Sequence, residues 1–126
     1  MKEKILIIED DRNIARLINH NLAKAGFEVF EAYEGESGLK LVRQLHPHLV
    51  ILDLMLPQIE GYEVLRILKE DTAVSQIPVI ILSAKISPGA IIKGFQMGAL
   101  DYIPKPFSVG ELTTKVSEVL KNLERR

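Results

Sequence analysis

The sequence contains no cysteine. That excludes a disulfide framework, thiol nucleophiles and Cys-ligated zinc. It has no excess charge of either sign, with 16 Lys+Arg against 17 Asp+Glu and a formal net charge of -1. A near-neutral balance gives no overall attraction toward nucleic acid or an anionic membrane surface. No apolar run approaches the roughly eighteen residues a membrane span needs. There is no repeat, low-complexity stretch or internal linker. The opening Met1-Lys2-Glu3-Lys4 leads straight into an apolar run without a signal-peptide pattern, which makes a cytoplasmic location the expectation. What is present is ordinary for a globular domain: 126 residues, 47% hydrophobic and 26% charged. That length reads as a single domain over 1–126, able to bury a core without staples.

Short apolar runs alternate with longer helical patterns. Residues 4–9 form a continuous apolar run, as a strand covered on both faces should. Asp11 can cap a helix to about Ala25, with Ile14, Leu17, Ile18 and Leu22 as its apolar stripe and Gly26 as its stop. Residues 27–32 read as a weaker strand, placed near a sheet edge by Glu28 and Glu31. A second helix carries Gly38, Leu41, Val42 and Leu45 and ends at His46-Pro47. Residues 49–52 are a third strand stopping at Asp53, followed after Gly61 by a helix with Val64, Leu65 and Leu68 inward. Residues 77–82 make a fourth strand ending at Ser83. Ser87-Pro88 starts a helix with Ile91, Ile92 and Phe95 on its apolar side, one of the two isoleucines being core. Residues 101–104 are a short fifth strand. Ser108 and Glu111 then form a capping box for a last helix bearing Leu112, Val116, Val119, Leu120 and Leu123. Five strands alternating with five helices imply an α/β fold, a doubly wound parallel sheet wrapped on both faces.

In such sheets ligands bind at the carboxyl ends of the strands. Those ends carry Glu9-Asp10-Asp11, Asp53, Ser83 and, after the fifth strand, Lys105-Pro106. Singly, each has a bland reading: Asp11 is a helix cap, and a lone Ser or Lys after a strand says nothing. Together on one edge they form a pattern. Three or four converging carboxylates repel one another unless a cation sits among them. With no Cys and no His there, the ligands are hard oxygens suited to Mg²⁺. Carboxylates, Lys and a hydroxyl match the parts needed for phosphoryl transfer, with Asp53 able to form an acyl phosphate. His20, His46 and His48 have no metal-ligand or triad spacing and read as surface residues. Lys121 and Arg125-Arg126 are too short a basic tail for nucleic-acid binding.

Ile7-Ile8-Glu9-Asp10-Asp11, Asp53-Leu54-Met55-Leu56-Pro57 with Gly61, Ser83-Ala84, Gly98-Ala99-Leu100-Asp101-Tyr102 and Lys105-Pro106-Phe107 resemble the motifs of bacterial two-component response-regulator receiver domains. The resemblance covers essentially the whole chain. It implies a flavodoxin-like three-layer sandwich with strand order 2-1-3-4-5. It implies a signalling switch rather than an enzyme, with Asp53 as phospho-acceptor and self-dephosphorylation as its only turnover. Carried over residue by residue, Asp10, Asp53 and the Met55 backbone carbonyl would hold Mg²⁺, with Glu9 acting through a water. Lys105, in a cis peptide with Pro106, would contact the phosphoryl oxygens. Ser83 would hydrogen-bond them, and the Tyr102 ring would turn inward as that bond forms. The surface of the fourth helix, fifth strand and fifth helix would be the readout. Met55 and Lys85 stand where the family tunes water access, implying slow to moderate self-dephosphorylation.

The implied partners are a sensor histidine kinase or phosphotransfer protein and an output domain or target protein, with a phosphorylation-dependent homodimer as a further expectation. Asp101, Glu111 and Lys115 keep part of the dimer salt-bridge network found in the winged-helix group of this family. Ile91, Met97 and Leu100 depart from it toward a more apolar surface. Other readings fare worse. A haloacid-dehalogenase-type phosphatase needs an acid where Met55 stands, and a nucleotide binder needs a Gly/Ser/Thr-rich loop where this chain is acidic. A degenerate receiver acting as a phosphorylation-independent interaction module conflicts with the intact Asp53, acidic pair, Ser83 and Lys105.

Overall fold

The computed structural model describes residues 2–124. The elements run β1 (Lys4–Ile8), α1 (Arg12–Lys24), β2 (Glu28–Ala32), α2 (Gly35–Leu45), β3 (Leu49–Leu52), α3 (Gly61–Glu70), β4 (Val79–Ser83), α4 (Pro88–Gln96), β5 (Asp101–Pro104) and α5 (Val109–Glu124). The five strands form one parallel sheet in the order β2-β1-β3-β4-β5. The doubly wound fold and its strand order are as expected.

The two faces follow from the period of two along each strand. Leu6, Ile8, Val50, Leu52 and Ile81 point toward α2, α3 and α4, where Leu39, Val42, Val64, Leu65 and Leu68 meet them. Ile5, Ile7, Leu49, Ile51, Ile80 and Leu82 point the other way onto Ala15, Ile18 and Leu22 of α1 and Leu112, Val116 and Leu120 of α5. Central strands apolar on both faces are what a sheet sandwiched between helices requires. β2, one of the two edge strands, carries Glu28 and Glu31. Its half-buried Glu31 is satisfied by the Asn19 amide at 2.6 Å and the Tyr33 hydroxyl at 2.9 Å.

The helix starts form as the sequence predicts. The Asp11 side chain accepts hydrogen bonds from the Asn13 and Ile14 amides, Ser87 accepts from Ala90, and Ser108 accepts from Glu111. Such caps are worth about 1 kcal/mol each. After α1, Gly26 turns the chain with φ +103, a conformation that glycine adopts without a Cβ penalty.

Some expectations need correction. Leu17 and Phe95 are 48% and 46% exposed, so neither belongs to the core. Leu17 stands at the rim of its stripe beside Pro106 and Phe107, where no helix covers it. α4 buries only Gly94 within its span. Ile91 packs on the core while Ile92 remains exposed, since the sheet ends at β5 and offers α4 a narrow support. β1 ends at Ile8 rather than residue 9, β2 starts at Glu28 rather than 27, and β4 runs Val79–Ser83 rather than 77–82. Arg125 and Arg126 lie outside the described residues.

Candidate functional site

Backbone hydrogen bonds between neighbouring strands set the positions of the strand-end residues. The Glu9 amide donates to the Ala32 carbonyl, Asp53 to Ile8 and Lys105 to Ser83, at 2.9–3.0 Å. Parallel register therefore brings four separate segments to one edge. The acceptor loop after β3 folds back on α3, with the Gly61 amide donating to the Leu54 carbonyl at 2.9 Å. A Cβ on Gly61 would collide with the Leu54 Cα and the Asp53 carbonyl oxygen, both main-chain atoms that cannot yield locally. Glycine there is a packing requirement of the loop that carries Asp53.

Glu9, Asp53 and Ser83 are all buried. Ligand oxygens of Glu9, Asp10 and Asp53 lie within 4.8 Å of one another. Lys105 reaches in from the β5–α5 loop, donating to Glu9 and, at 3.1 Å, to Asp53 Oδ2. Asp53 Oδ1 accepts from the Met55 amide at 3.0 Å, and Glu9 Oε2 from the Asp11 amide at 3.1 Å. Asp11 itself turns away to cap α1, so three carboxylates converge rather than four. The Lys105-Pro106 peptide is cis, as the resemblance implied.

Two buried carboxylates paired with one ammonium, and the exposed Asp10 beside them, leave excess negative charge at the site. Burial pushes Glu9 up to about 7, and the Asp53 charge adds to this, against the opposing bonds from Lys105 and the Asp11 amide. Burial lowers the Lys105 ammonium, but its bond to Glu9 and the charges of Asp53 and Glu9 outweigh that and leave it raised. An all-oxygen, under-neutralised cluster fits a hard divalent cation such as Mg²⁺.

The folded protein holds the Glu9 proton from its ordinary value of 4.5 up to about 7. The native state then binds more protons than the unfolded chain, so stability falls as pH rises across that window. Denaturant unfolding between pH 4 and 8 should show this decline, and Glu9→Gln should flatten it. An equal slope in the variant would refute the assignment.

Ser83 is fully buried, its Oγ accepting from the Lys85 amide at 3.2 Å. Tyr102 is also buried, and its hydroxyl donates to the Lys85 carbonyl. The ring expected to turn inward thus already occupies an inward position. Met55 is 54% exposed and, with Asp10, Pro57, Glu60 and Lys85, borders the open side of the site. The three histidines are exposed, as expected, and His48 Nδ1 accepts the Lys4 amide at 2.9 Å.

A family model described as the response regulator receiver domain matches residues 5–117. The chain belongs to the response regulator receiver family. Receivers are the phospho-accepting switches of two-component signalling, not enzymes in the usual sense, and the family binds Mg²⁺ in an acidic pocket. Among relatives, the DNA-binding dual master transcriptional regulator RpaA of Synechocystis is 42% identical over 97% of this chain and 51% of its own length. The probable transcriptional regulator ycf27 of Porphyridium aerugineum is 40% identical over 98% of this chain and 50% of its own. The chain therefore spans about half the length of such relatives. The Francisella response regulator 1452 receiver domain superposes with TM-score 0.91 at 33% identity, covering 97% of this chain and 99% of that one. A BeF3-activated DrrB receiver domain gives 0.86 at 35% identity, covering 96% and 99%.

Within this receiver, Lys115 pairs with Asp101 at 3.0 Å across the α5–β5 face, and neighbouring Leu100 is 49% exposed. No helix among the described residues is long and apolar enough to cross a membrane. One residue near the site escaped the sequence reading: Tyr62, buried at the start of α3. Only a hydroxyl-bearing aromatic just after Gly61 marked it, and its partners lie on distant segments.

Proposed function

We propose that residues 1–126 form one receiver domain that accepts a phosphoryl group on Asp53 from the phosphohistidine of a cytoplasmic sensor kinase or phosphotransfer protein. The supporting observation is the buried Asp53 carboxylate held between the Lys105 ammonium and the Met55 amide, beside two further acids. An Asp53 oxygen attacks phosphorus; the acyl-phosphate P–O bond forms as the P–N bond breaks and the imidazole leaves with the electron pair. Lys105 stays close to the incoming oxygens and offsets their charge. Asp10, Asp53 and the Met55 carbonyl are the proposed Mg²⁺ ligands, with Glu9 acting through a water. The bound ion would neutralise charge between the carboxylates and the phosphoryl oxygens. In hydrolytic discharge water attacks phosphorus, the Asp53 carboxylate leaves with the electron pair and the water's proton passes to solvent, giving inorganic phosphate, with Met55 and Lys85 restricting access.

The phosphoryl group adds about -1.5 to -2 charges and three acceptor oxygens. Ser83 gains by donating its proton to one of them, and the loops after β4 and β5 draw in while Tyr102 stays packed behind. The bias this places on α4, β5 and α5 equals its differential contacts in the two states, no more. The output is a DNA-binding domain or partner protein contacted through that face, with a homodimer through Leu100 and its neighbours as a further consequence. The receiver itself makes no nucleic-acid contact.

The test is intact mass after incubation with a small phosphodonor and Mg²⁺. One phosphate adduct is expected, absent in Asp53→Asn and in EDTA. Ser83→Ala should still accept phosphate but fail to change its α4–β5–α5 surface. A folded wild type without an adduct would sink the reading in favour of a phosphorylation-independent module.

A further inference from the structure

α4 is held loosely. Its span buries only Gly94, and residues 84–87, which lead into it, are exposed. Two tyrosine hydroxyls secure this stretch to the body of the domain. Tyr102 donates to the Lys85 carbonyl at one end. Tyr62 donates to the Ala90 carbonyl, in the first turn of α4, at 2.9 Å. The Tyr62 ring is 7% exposed, and the ammonium groups of Lys93 and Lys85 lie 4.2 and 5.3 Å from its centroid. A cation at such a distance from an aromatic face is attracted to it. Every one of these contacts is to α4 or the segment entering it.

Tyr62 also has a short backbone route to the acceptor, through one peptide bond and one hydrogen bond. It follows Gly61, whose amide is bound to the Leu54 carbonyl, the residue after Asp53. Resting on the reading of Asp53 as phospho-acceptor, we infer that Tyr62 is a positioning residue of the switch: its hydroxyl latches α4 to the acceptor loop in the conformer that holds Tyr102 inward. It touches no phosphoryl oxygen. It fixes the backbone segment whose Lys85 carbonyl receives Tyr102, so the two hydroxyl bonds form and break together. A buried tyrosine serving only as core would contribute through its ring, and Tyr62→Phe would leave the switch unchanged.

The experiment compares wild type, Tyr62→Phe, Tyr102→Phe and the double variant, each labelled with 3-fluorotyrosine. Without metal, the fluorine spectrum of Tyr62→Phe should show Tyr102 moving from its buried environment toward a solvent-exposed one. With Mg²⁺ present, half-saturation by beryllofluoride should need about fivefold more ligand than in wild type, the equilibrium equivalent of one net hydrogen bond. The double variant should be no weaker than Tyr102→Phe alone, the sign of one coupled unit. A lower melting temperature with an unchanged Tyr102 signal and unchanged beryllofluoride affinity would overturn the latch and leave Tyr62 as packing. Wild type that binds no beryllofluoride would overturn the Asp53 reading and the latch with it.

Discussion

Replacing Lys105 with methionine is expected to cut phosphoryl uptake about a hundredfold while tightening Mg²⁺ binding. The two effects run in opposite directions because the ammonium has two roles in one place. Toward an incoming phosphoryl group it is a preorganised positive charge, and losing one such donor commonly costs about two orders of magnitude in rate. Toward a metal it is a competitor, lying on Glu9 and 3.1 Å from Asp53. Removing it leaves the acidic oxygens more negative and free for a cation. The same change leaves buried carboxylates without their counter-charge, so Glu9 should rise beyond about 7. The variant should then be least stable above neutral pH and should recover when Mg²⁺ is added. Adduct formation by intact mass, calorimetric Mg²⁺ titration and melting at pH 6 and 8 would check this. Weaker Mg²⁺ binding in the variant would mean that the ammonium does not compete for the cluster.

Gly61→Ala should lower stability by about 3 kcal/mol, the upper part of the range for forced overpacking. The added methyl would meet main-chain atoms of Leu54 and Asp53, and neither can rotate away. The loop must shift instead, and Asp53 shifts with it, so phosphoryl uptake should fall together with stability. Gly89→Ala provides the contrast. It lies within α4, and a Cβ there meets nothing within 4 Å. That change should be neutral or stabilising by about 0.5–1 kcal/mol through helix propensity. Denaturant unfolding of both variants, with urea as the axis, separates a helix effect from a loop effect. Equal stability of the two would remove Gly61 from any special place in the acceptor loop.

Much of this protein was determined by local pattern. Runs such as Ile5-Leu6-Ile7-Ile8 and Leu49-Val50-Ile51-Leu52 can be buried on both faces only as strands of a wrapped sheet. The caps at Asp11, Ser87 and Ser108 act on amides two or three residues away. Because every strand is parallel, residues that follow strands must share an edge, which is why Glu9, Asp10, Asp53, Ser83 and Lys105 could be grouped before any coordinates.

What the sequence did not contain is how far each surface is covered. Leu17 and Phe95 satisfy helical periodicity as well as Leu22 does, yet only contact with a neighbouring element buries a residue. α1 overhangs its support at Leu17, and α4 sits against the last strand of the sheet. Asp11 and Glu9 are equivalent as acids in the sequence. The fold makes one an exposed cap and the other a buried carboxyl pushed up to about 7, because desolvation depends on what packs around a group. The inward position of Tyr102 and the bond from Tyr62 to Ala90 join segments far apart in the chain, and no spacing rule reports such a contact. Near-neighbour chemistry determines the strands, the helices and their caps, whereas the order β2-β1-β3-β4-β5 joins distant segments and was implied by the family resemblance alone. Burial, charge balance and the seat of α4 come from long-range packing, which exists only once the chain has folded.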